Sequence, residues 1–205
     1  PLSKRGLEIF FSENNINIPI KLLKHPIPLP PIKNNNITNY DKNTINHVGY
    51  HLRNFDSFIK LKHRNKRILI PKIWPEMPNE YFIENFLKDK DTSNIVLENL
   101  NKEEYIKMLQ NEIIFVDYLN CSASNVICEC IAYNTPLVIN RLPDIEYYLG
   151  SDYPLYFDNI EHASWLIKDH NNILNSINHM KKIRNDISWD NFKDNLLKYC
   201  GEIIY

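Results

Sequence analysis

Short apolar segments alternate with amphipathic segments from Thr44 to Phe157, and this alternation limits the possible folds more than any other feature of the chain. The apolar segments have the length of strands, and those between them have the length and apolar spacing of helices. The six predicted strands are 44–48, 67–70, 94–97, 112–116, 137–139 and 155–157. Continuous apolar strands alternating with helices are typical of a parallel sheet covered on both faces. The sequence therefore predicts an α/β fold with a doubly wound, Rossmann-like parallel sheet and a helical C-terminus.

The first 43 residues do not follow this alternation. Helical spacing at residues 2–13 and a short strand predicted at 18–23 precede a segment rich in proline and asparagine, which breaks regular structure. We predict that residues 1–24 are the tail of a preceding domain, residues 25–43 a linker, and residues 44–205 the main domain. A helix and a strand cannot form a core by themselves, so most of the preceding domain is expected outside this chain.

Composition argues against several classes of partner. The net charge is -1 and the isoelectric point is near 6.8, which does not favour binding to nucleic acid or to a membrane surface. The apolar runs are too short to cross a bilayer, so no transmembrane segment is expected. The four cysteines lack the spacing of a zinc or redox site, and we predict reduced thiols in a cytoplasmic protein. No His/Cys cluster predicts a metal site.

A small polar loop opens the predicted helix 124–133. Its residues include Ser122, Ser124 and Asn125. The first backbone N–H groups of a helix lack partners and the macrodipole favours negative charge there, so this loop is a candidate phosphate site. Ordinary capping of the helix by Ser122 or Ser124 would use the same N–H groups and is the alternative.

Glu129 lies one turn further along the same predicted helix, on the face of Asn125. Its neighbours in the sequence are apolar, and a carboxylate in such surroundings requires a partner. A carboxylate one turn behind a phosphate site suits a ribose diphosphate, because it can accept hydrogen bonds from two vicinal hydroxyls. A solvent-facing helix acid is the alternative.

Two arginines follow predicted strands, at the sheet edge where ligands bind in such folds. Gly49 allows a tight turn after the first strand, and Arg53 in the same loop could bind a diphosphate bidentately. Arg141 follows the fifth strand and is a candidate contact to phosphate or sugar. The alternatives are a surface arginine at 53 and a structural one at 141. We interpret the basic run 60–67 as a solvated helix face and turn.

The segment around Glu129 resembles the C-terminal, nucleotide-sugar-binding domain of GT-B glycosyltransferases. In that family a helix ends in Glu-Ala followed by small residues, and a Gly-Thr-Pro turn and a short apolar strand come next. Many retaining members carry a further acid in a Glu-x7-Glu pattern, and this chain has Cys121 at that position. The residues that carry the resemblance are Ser124-Asn125, Glu129–Ala132 and Asn134–Ile139.

The resemblance implies an enzyme, the donor-binding half of a glycosyltransferase. Such a domain binds a nucleotide diphosphate sugar, and the glycosyl group passes to a glycan or protein acceptor held by the preceding domain. The family places a basic residue in the first loop, which is Arg53 here. The nucleotide sugar is a substrate, and neither a cofactor nor a metal ion is expected. The alternatives are a nucleotide-sugar epimerase of the same fold, which needs no acceptor, and a non-catalytic nucleotide-binding domain.

Overall fold

The computed structural model describes residues 4–31, 44–70, 79–121 and 124–204. The strands are β1 (Thr44–His47), β2 (Asn65–Leu69), β3 (Ile95–Glu98), β4 (Ile113–Val116), β5 (Leu137–Asn140) and β6 (Tyr156–Phe157). The helices are α1 (Lys4–Glu13), α2 (Phe55–Lys60), α3 (Asn79–Phe82), α4 (Lys102–Asn111), α5 (Asn125–Tyr133), α6 (Pro143–Leu149), α7 (Ile160–Lys168), α8 (His170–Ile183) and α9 (Trp189–Ile204). A π-helical turn (Ile83–Leu87) extends α3, and a 3-10 turn (Arg184–Ile187) follows α8.

All six strands form one parallel sheet in the order β3-β2-β1-β4-β5-β6. The predicted doubly wound sheet is confirmed. β1 and β4 are neighbours in the sheet although they are far apart in the sequence, so the direction of winding reverses between them. In open parallel sheets the crevice for ligands lies at this point, beyond the carboxyl ends of the strands.

Helices cover both faces of the sheet. On one face Phe58 of α2 packs on Phe115 of β4, which stacks on Phe157 of β6 with ring centroids 5.2 Å apart. The amide of Lys62, just after α2, donates to the Ser164 hydroxyl of α7, which places α7 beside α2. On the other face α5 contacts α4, α6 and α8. Because both faces are covered, all four residues of β4 are buried, which explains its unbroken apolar sequence.

The predicted strand at residues 18–23 does not form. The described residues 16–31 have no regular secondary structure, and their backbone meets helices and turns rather than a sheet edge. The amide of Ile27 donates to the Ile187 carbonyl at 3.0 Å, and Lys24 forms an ion pair with Asp186. Pro19 removes a backbone donor within the predicted strand, and prolines at positions 26, 28 and 30 do the same in the segment that follows it. Residues 25–31 of the predicted linker therefore lie against the main domain.

The interpretation of the basic run 60–67 as a solvated face was wrong for its last two residues. β2 begins at Asn65, which turns the Lys66 side chain into the interior. Its ammonium group donates to the Ile59 carbonyl at 2.6 Å, at the C-terminal end of α2, where backbone carbonyls lack helical partners. Arg67 is held by Glu98 and Glu112.

Among the described helices, none combines the length and the apolar character that a bilayer-spanning segment requires.

Candidate functional site

The loops after β1 and β4 lie side by side at the carboxyl edge of the sheet, joined by three successive contacts, which we call the cross-loop pairs. Asn54 donates its amide to the Asp117 carbonyl, and its side chain to the Asp117 carboxylate, both at 2.9 Å. Arg53 and Tyr118 form an antiparallel bridge. The amide of Leu119 donates to the Leu52 carbonyl at 3.0 Å. The cross-loop pairs therefore fix the predicted phosphate-binding loop of β1 to the segment that leads into α5.

Asn140, the last residue of β5, strengthens this arrangement. Its side-chain oxygen accepts from the Tyr118 amide at 2.8 Å, and its side-chain nitrogen donates to the Tyr118 carbonyl at 2.9 Å. One side chain thus pairs with both backbone groups of Tyr118, as a neighbouring strand would. Three strand ends, those of β1, β4 and β5, are consequently held in register around the candidate site.

The Arg53 side chain fills the space that Gly49 leaves open. Gly49 has φ +82°, and a Cβ at this position would lie 3.1 Å from Nη2 of Arg53. The guanidinium stacks on the ring of Tyr118, 3.6 Å from the ring centroid. Its Nε donates to the Val48 carbonyl at 3.4 Å, and its Nη1 to the His51 carbonyl at 3.2 Å. These contacts orient the guanidinium and leave other N–H groups available.

Arg53 carries its charge without a carboxylate partner in the part of the chain that the structure describes. Burial lowers the pKa of its guanidinium, and Tyr118 and Cys121 oppose that shift. Arginine remains charged under such shifts because its ordinary pKa is above 12. A half-buried guanidinium with no acid beside it is suited to an anionic ligand, which would supply the missing opposite charge.

Tyr118 connects Arg53 to the start of α5, because its ring contacts the guanidinium and its hydroxyl contacts Ser124. The hydroxyl of Ser124, the residue before α5, forms a short hydrogen bond with the Tyr118 hydroxyl and makes no capping bond to the helix. The alternative of side-chain capping by Ser124 is therefore wrong. Asn125 is exposed in the first turn. Ser122 lies outside the described residues.

Glu129 is half-buried between α5 and α4, and the alternative of a solvent-facing acid is wrong. One of its carboxylate oxygens accepts a hydrogen bond of 2.6 Å from the hydroxyl of Tyr105 in α4. Burial raises the pKa of Glu129, and the Tyr105 bond lowers it again in part. Sequence reasoning missed Tyr105. The capping box of Asn101 and Glu104 marks the start of α4 in the sequence, but no local pattern reveals that α4 packs on α5.

Arg141 lies apart from Arg53, in the turn after β5. Its guanidinium pairs with Glu146, donates to the Ser151 carbonyl at 3.1 Å and stacks on Tyr156. The side chain also lines a cavity of about 470 Å³ at the same sheet edge, together with Asn54 and Asn140. These contacts hold the turn, and the predicted role of Arg141 toward phosphate or sugar stays a prediction.

Cys121 is buried at the position where the resemblance placed a second acid. Burial raises the pKa of its thiol to about 11, so the group is neutral at physiological pH. Among the described residues, no group of three or more His, Cys, Asp or Glu side chains is arranged to hold a metal ion.

No protein-family model matches the chain. No curated protein matches it either. Solved structures do match in fold. A complex of a TarM variant from S. aureus with fondaparinux, alpha-GlcNAc-glycerol and UDP has a TM-score of 0.66 and 14% identity over 96% of this chain and 42% of that one. WaaG, a glycosyltransferase involved in lipopolysaccharide biosynthesis, has a TM-score of 0.63 and 12% identity over 90% of this chain and 57% of its own.

A third match is Alr3699/HepE from Anabaena in complex with UDP-glucose, with a TM-score of 0.54 and 9% identity over 81% of this chain and 50% of that one. The chain thus spans about half the length of these proteins. The matched glycosyltransferases have the GT-B fold, and at this level of identity the likeness shows the fold alone. The predicted resemblance is confirmed at that level.

Proposed function

We propose that this chain is the donor-binding part of a GT-B glycosyltransferase. It binds a nucleotide diphosphate sugar, and the glycosyl group passes to a glycan or protein acceptor held by another domain. The observation that carries the proposal is Arg53, a half-buried guanidinium without a carboxylate partner among the described residues, at the winding reversal of the sheet. Such a group at such a place suits a phosphate ligand.

The diphosphate binds between Arg53 and the start of α5 in this proposal. Gly49 leaves room for the arginine, and we assign the phosphate oxygens to the N–H groups of Ser124 and Asn125 at the start of α5. The assignment includes Ser122 from the sequence alone, because that residue lies outside the described residues. Glu129 accepts the ribose hydroxyls one turn further along α5. Arg141 is assigned to the outer part of the site, toward phosphate or sugar. Nucleotide binding by this fold is supported by TarM and Alr3699/HepE, which were solved in complex with UDP or UDP-glucose.

The residues of the site also suggest how transfer proceeds. When the glycosyl bond breaks, negative charge develops on the leaving diphosphate. Arg53 and the positive end of the α5 dipole stabilise that charge, so the proposed reaction uses neither a metal ion nor a cofactor. The thiol of Cys121 is neutral and adds no charge next to the sugar. The four free cysteines suit a reducing compartment, and we place the protein in the cytoplasm.

The proposal is tested by thermal denaturation with UDP, GDP, ADP and TDP and with their sugars. A ligand at about a hundred times its dissociation constant adds about 2.7 kcal/mol of stability. For a chain of this size that raises the melting temperature by about 5–10 °C. The matched control is Glu129→Gln, which should reduce the shift and leave the melting temperature of the free protein nearly unchanged. If no nucleotide at millimolar concentration shifts the melting temperature, the chain is not a donor-binding domain.

A further inference from the structure

A tyrosine on α4 holds the carboxylate that the proposed function assigns to ribose. The Tyr105 hydroxyl donates to Oε2 of Glu129 at 2.6 Å, a short bond of the kind that hydroxyls make to ionised carboxylates. The capping box formed by Asn101 and Glu104 fixes the first turn of α4, directly before Tyr105 in the sequence. The contact between α4 and α5 then brings Tyr105 opposite Glu129.

We propose that Tyr105 is a positioning residue, whose hydroxyl holds one oxygen of Glu129 so that the other is left for the ribose hydroxyls of a bound nucleotide. This inference rests on the proposed function and deepens it.

The surroundings of Glu129 explain why a positioning group is needed. Its neighbours along α5 are buried and almost all apolar, and a carboxylate there loses much of its hydration. In the described part of the chain, no lysine or arginine lies within ion-pair distance of Glu129. The tyrosine supplies a donor without neutralising the charge, so the carboxylate stays available as an acceptor. A cation in the same place would compete with the ligand for both oxygens.

Glu129 is the carboxylic acid of this cluster, and burial raises its pKa above the ordinary value. The groups that face it are Tyr105 on α4 and Cys128, Cys130 and Tyr133 on α5. Burial raises the pKa of all four, so they remain neutral between pH 5 and 8. Loss of the Tyr105 bond would raise the pKa of Glu129 further, because that bond favours the ionised form. Protonation of Glu129 would then begin at a higher pH.

The experiment is calorimetric titration of UDP between pH 5 and 8 into the wild type, Tyr105→Phe, Glu129→Gln and the double variant. Tyr105→Phe is expected to weaken UDP binding about tenfold, with a loss that grows as the pH falls, and to have no further effect in the Glu129→Gln background. Tyr133→Phe is the matched control, because it removes a neighbouring tyrosine hydroxyl from α5 and should leave the affinity unchanged.

A second measurement does not depend on the nucleotide. The carboxyl carbon of Glu129, followed by NMR in the free protein, should titrate at a higher pH in Tyr105→Phe than in the wild type. An unchanged midpoint, or equal UDP affinity of Tyr105→Phe and wild type at every pH, overturns the positioning role and leaves the proposed function intact. Tighter binding by Tyr105→Phe also overturns it, because the tyrosine would then occupy the place of the ribose. If the wild type binds no nucleotide, the proposed function fails and the positioning role fails with it.

Discussion

At the scale of single residues, Arg53 shows how the fold orders a side chain that we propose as a phosphate ligand. The face of Tyr118 lies against the guanidinium, and the carbonyls of Val48 and His51 accept from two of its nitrogens. An arginine side chain loses conformational entropy when it is immobilised, at a cost of about 0.5–1.5 kcal/mol on binding. Here most of that ordering is already present in the fold, so a phosphate contact keeps more of its free energy.

Arg53→Gln is expected to weaken UDP binding far more than uridine binding, because the lost contact is to phosphate. A charge-assisted contact contributes about 1.5–3 kcal/mol, so the affinity for UDP should fall about tenfold to a hundredfold relative to uridine. The measurement is calorimetric titration of both ligands into wild type and variant. The control is the double variant Lys62→Gln, Arg64→Gln, which removes two exposed charges that salt screens. Equal losses for uridine and UDP would place the phosphate elsewhere.

The burial of His47 leads us to expect that the stability of the protein depends on pH. The imidazole is fully buried against Phe55, with ring centroids 4.4 Å apart, and within the described residues neither ring nitrogen has a hydrogen-bond partner. Burial is the main cause that lowers the pKa of His47 from 6.5 to about 3, and the charge of Arg53 is the second. Between these two values the unfolded chain binds a proton that the folded chain does not. Stability is therefore expected to fall as the pH falls below 6.5, by up to about 1.4 kcal/mol per pH unit from this residue.

The test compares urea unfolding at pH 6.5 and pH 5 for the wild type and His47→Phe. The variant should lose about 1.6 kcal/mol less than the wild type over this interval, because its aromatic ring does not titrate. His51→Gln serves as the control, since His51 is exposed and should leave the wild-type slope in place. If His47→Phe shows the same slope as the wild type, the acid sensitivity comes from other groups.

At the scale of elements, strands that are buried in the sheet could be predicted from the sequence, and features that depend on contacts with other elements could not. The six strands predicted from residue 44 onward all formed within two residues of their predicted positions, because strands in a covered parallel sheet carry an apolar signature. The segment 18–23 has a similar local sequence, but it lies against helices and turns and never meets a strand. Lys66 looked like part of a charged turn, and only the adjacent end of α2 explains its burial. The first error arose from contacts with distant parts of the chain, and the second from a contact with the end of the preceding helix.

The residues of the candidate site also divide into those that the sequence could predict and those that it could not. The strand-end rule located Gly49 and Arg53 from the sequence alone, since it depends only on where strands stop. The same rule could have indicated Asp117 and Asn140, each of which stands at the end of a strand. Partners such as Tyr105 belong to another helix, and no spacing along the chain marks them.

At the scale of the whole molecule, the chain spans about half the length of its structural neighbours. A donor site alone does not place an acceptor, and closure of a second domain normally excludes water and aligns the two substrates. We therefore expect this chain to bind UDP and not to transfer sugar efficiently. The measurement is release of UDP from UDP-glucose and other UDP-sugars in the presence of a panel of glycan acceptors. The comparison is the chain joined to a preceding acceptor domain, and multiple turnovers by the 205-residue chain itself would contradict the two-domain proposal.

The cross-loop pairs also bear on the kinetics of ligand binding. Leu52, Arg53 and Asn54 are each bonded to the segment that follows β4, and Asn140 bonds that segment to β5. The contacts set the distance from the Arg53 backbone to the next strand end without a ligand. If Arg53 binds phosphate as proposed, we expect the association rate to depend on electrostatic encounter and on ionic strength, rather than on slow rearrangement of loops.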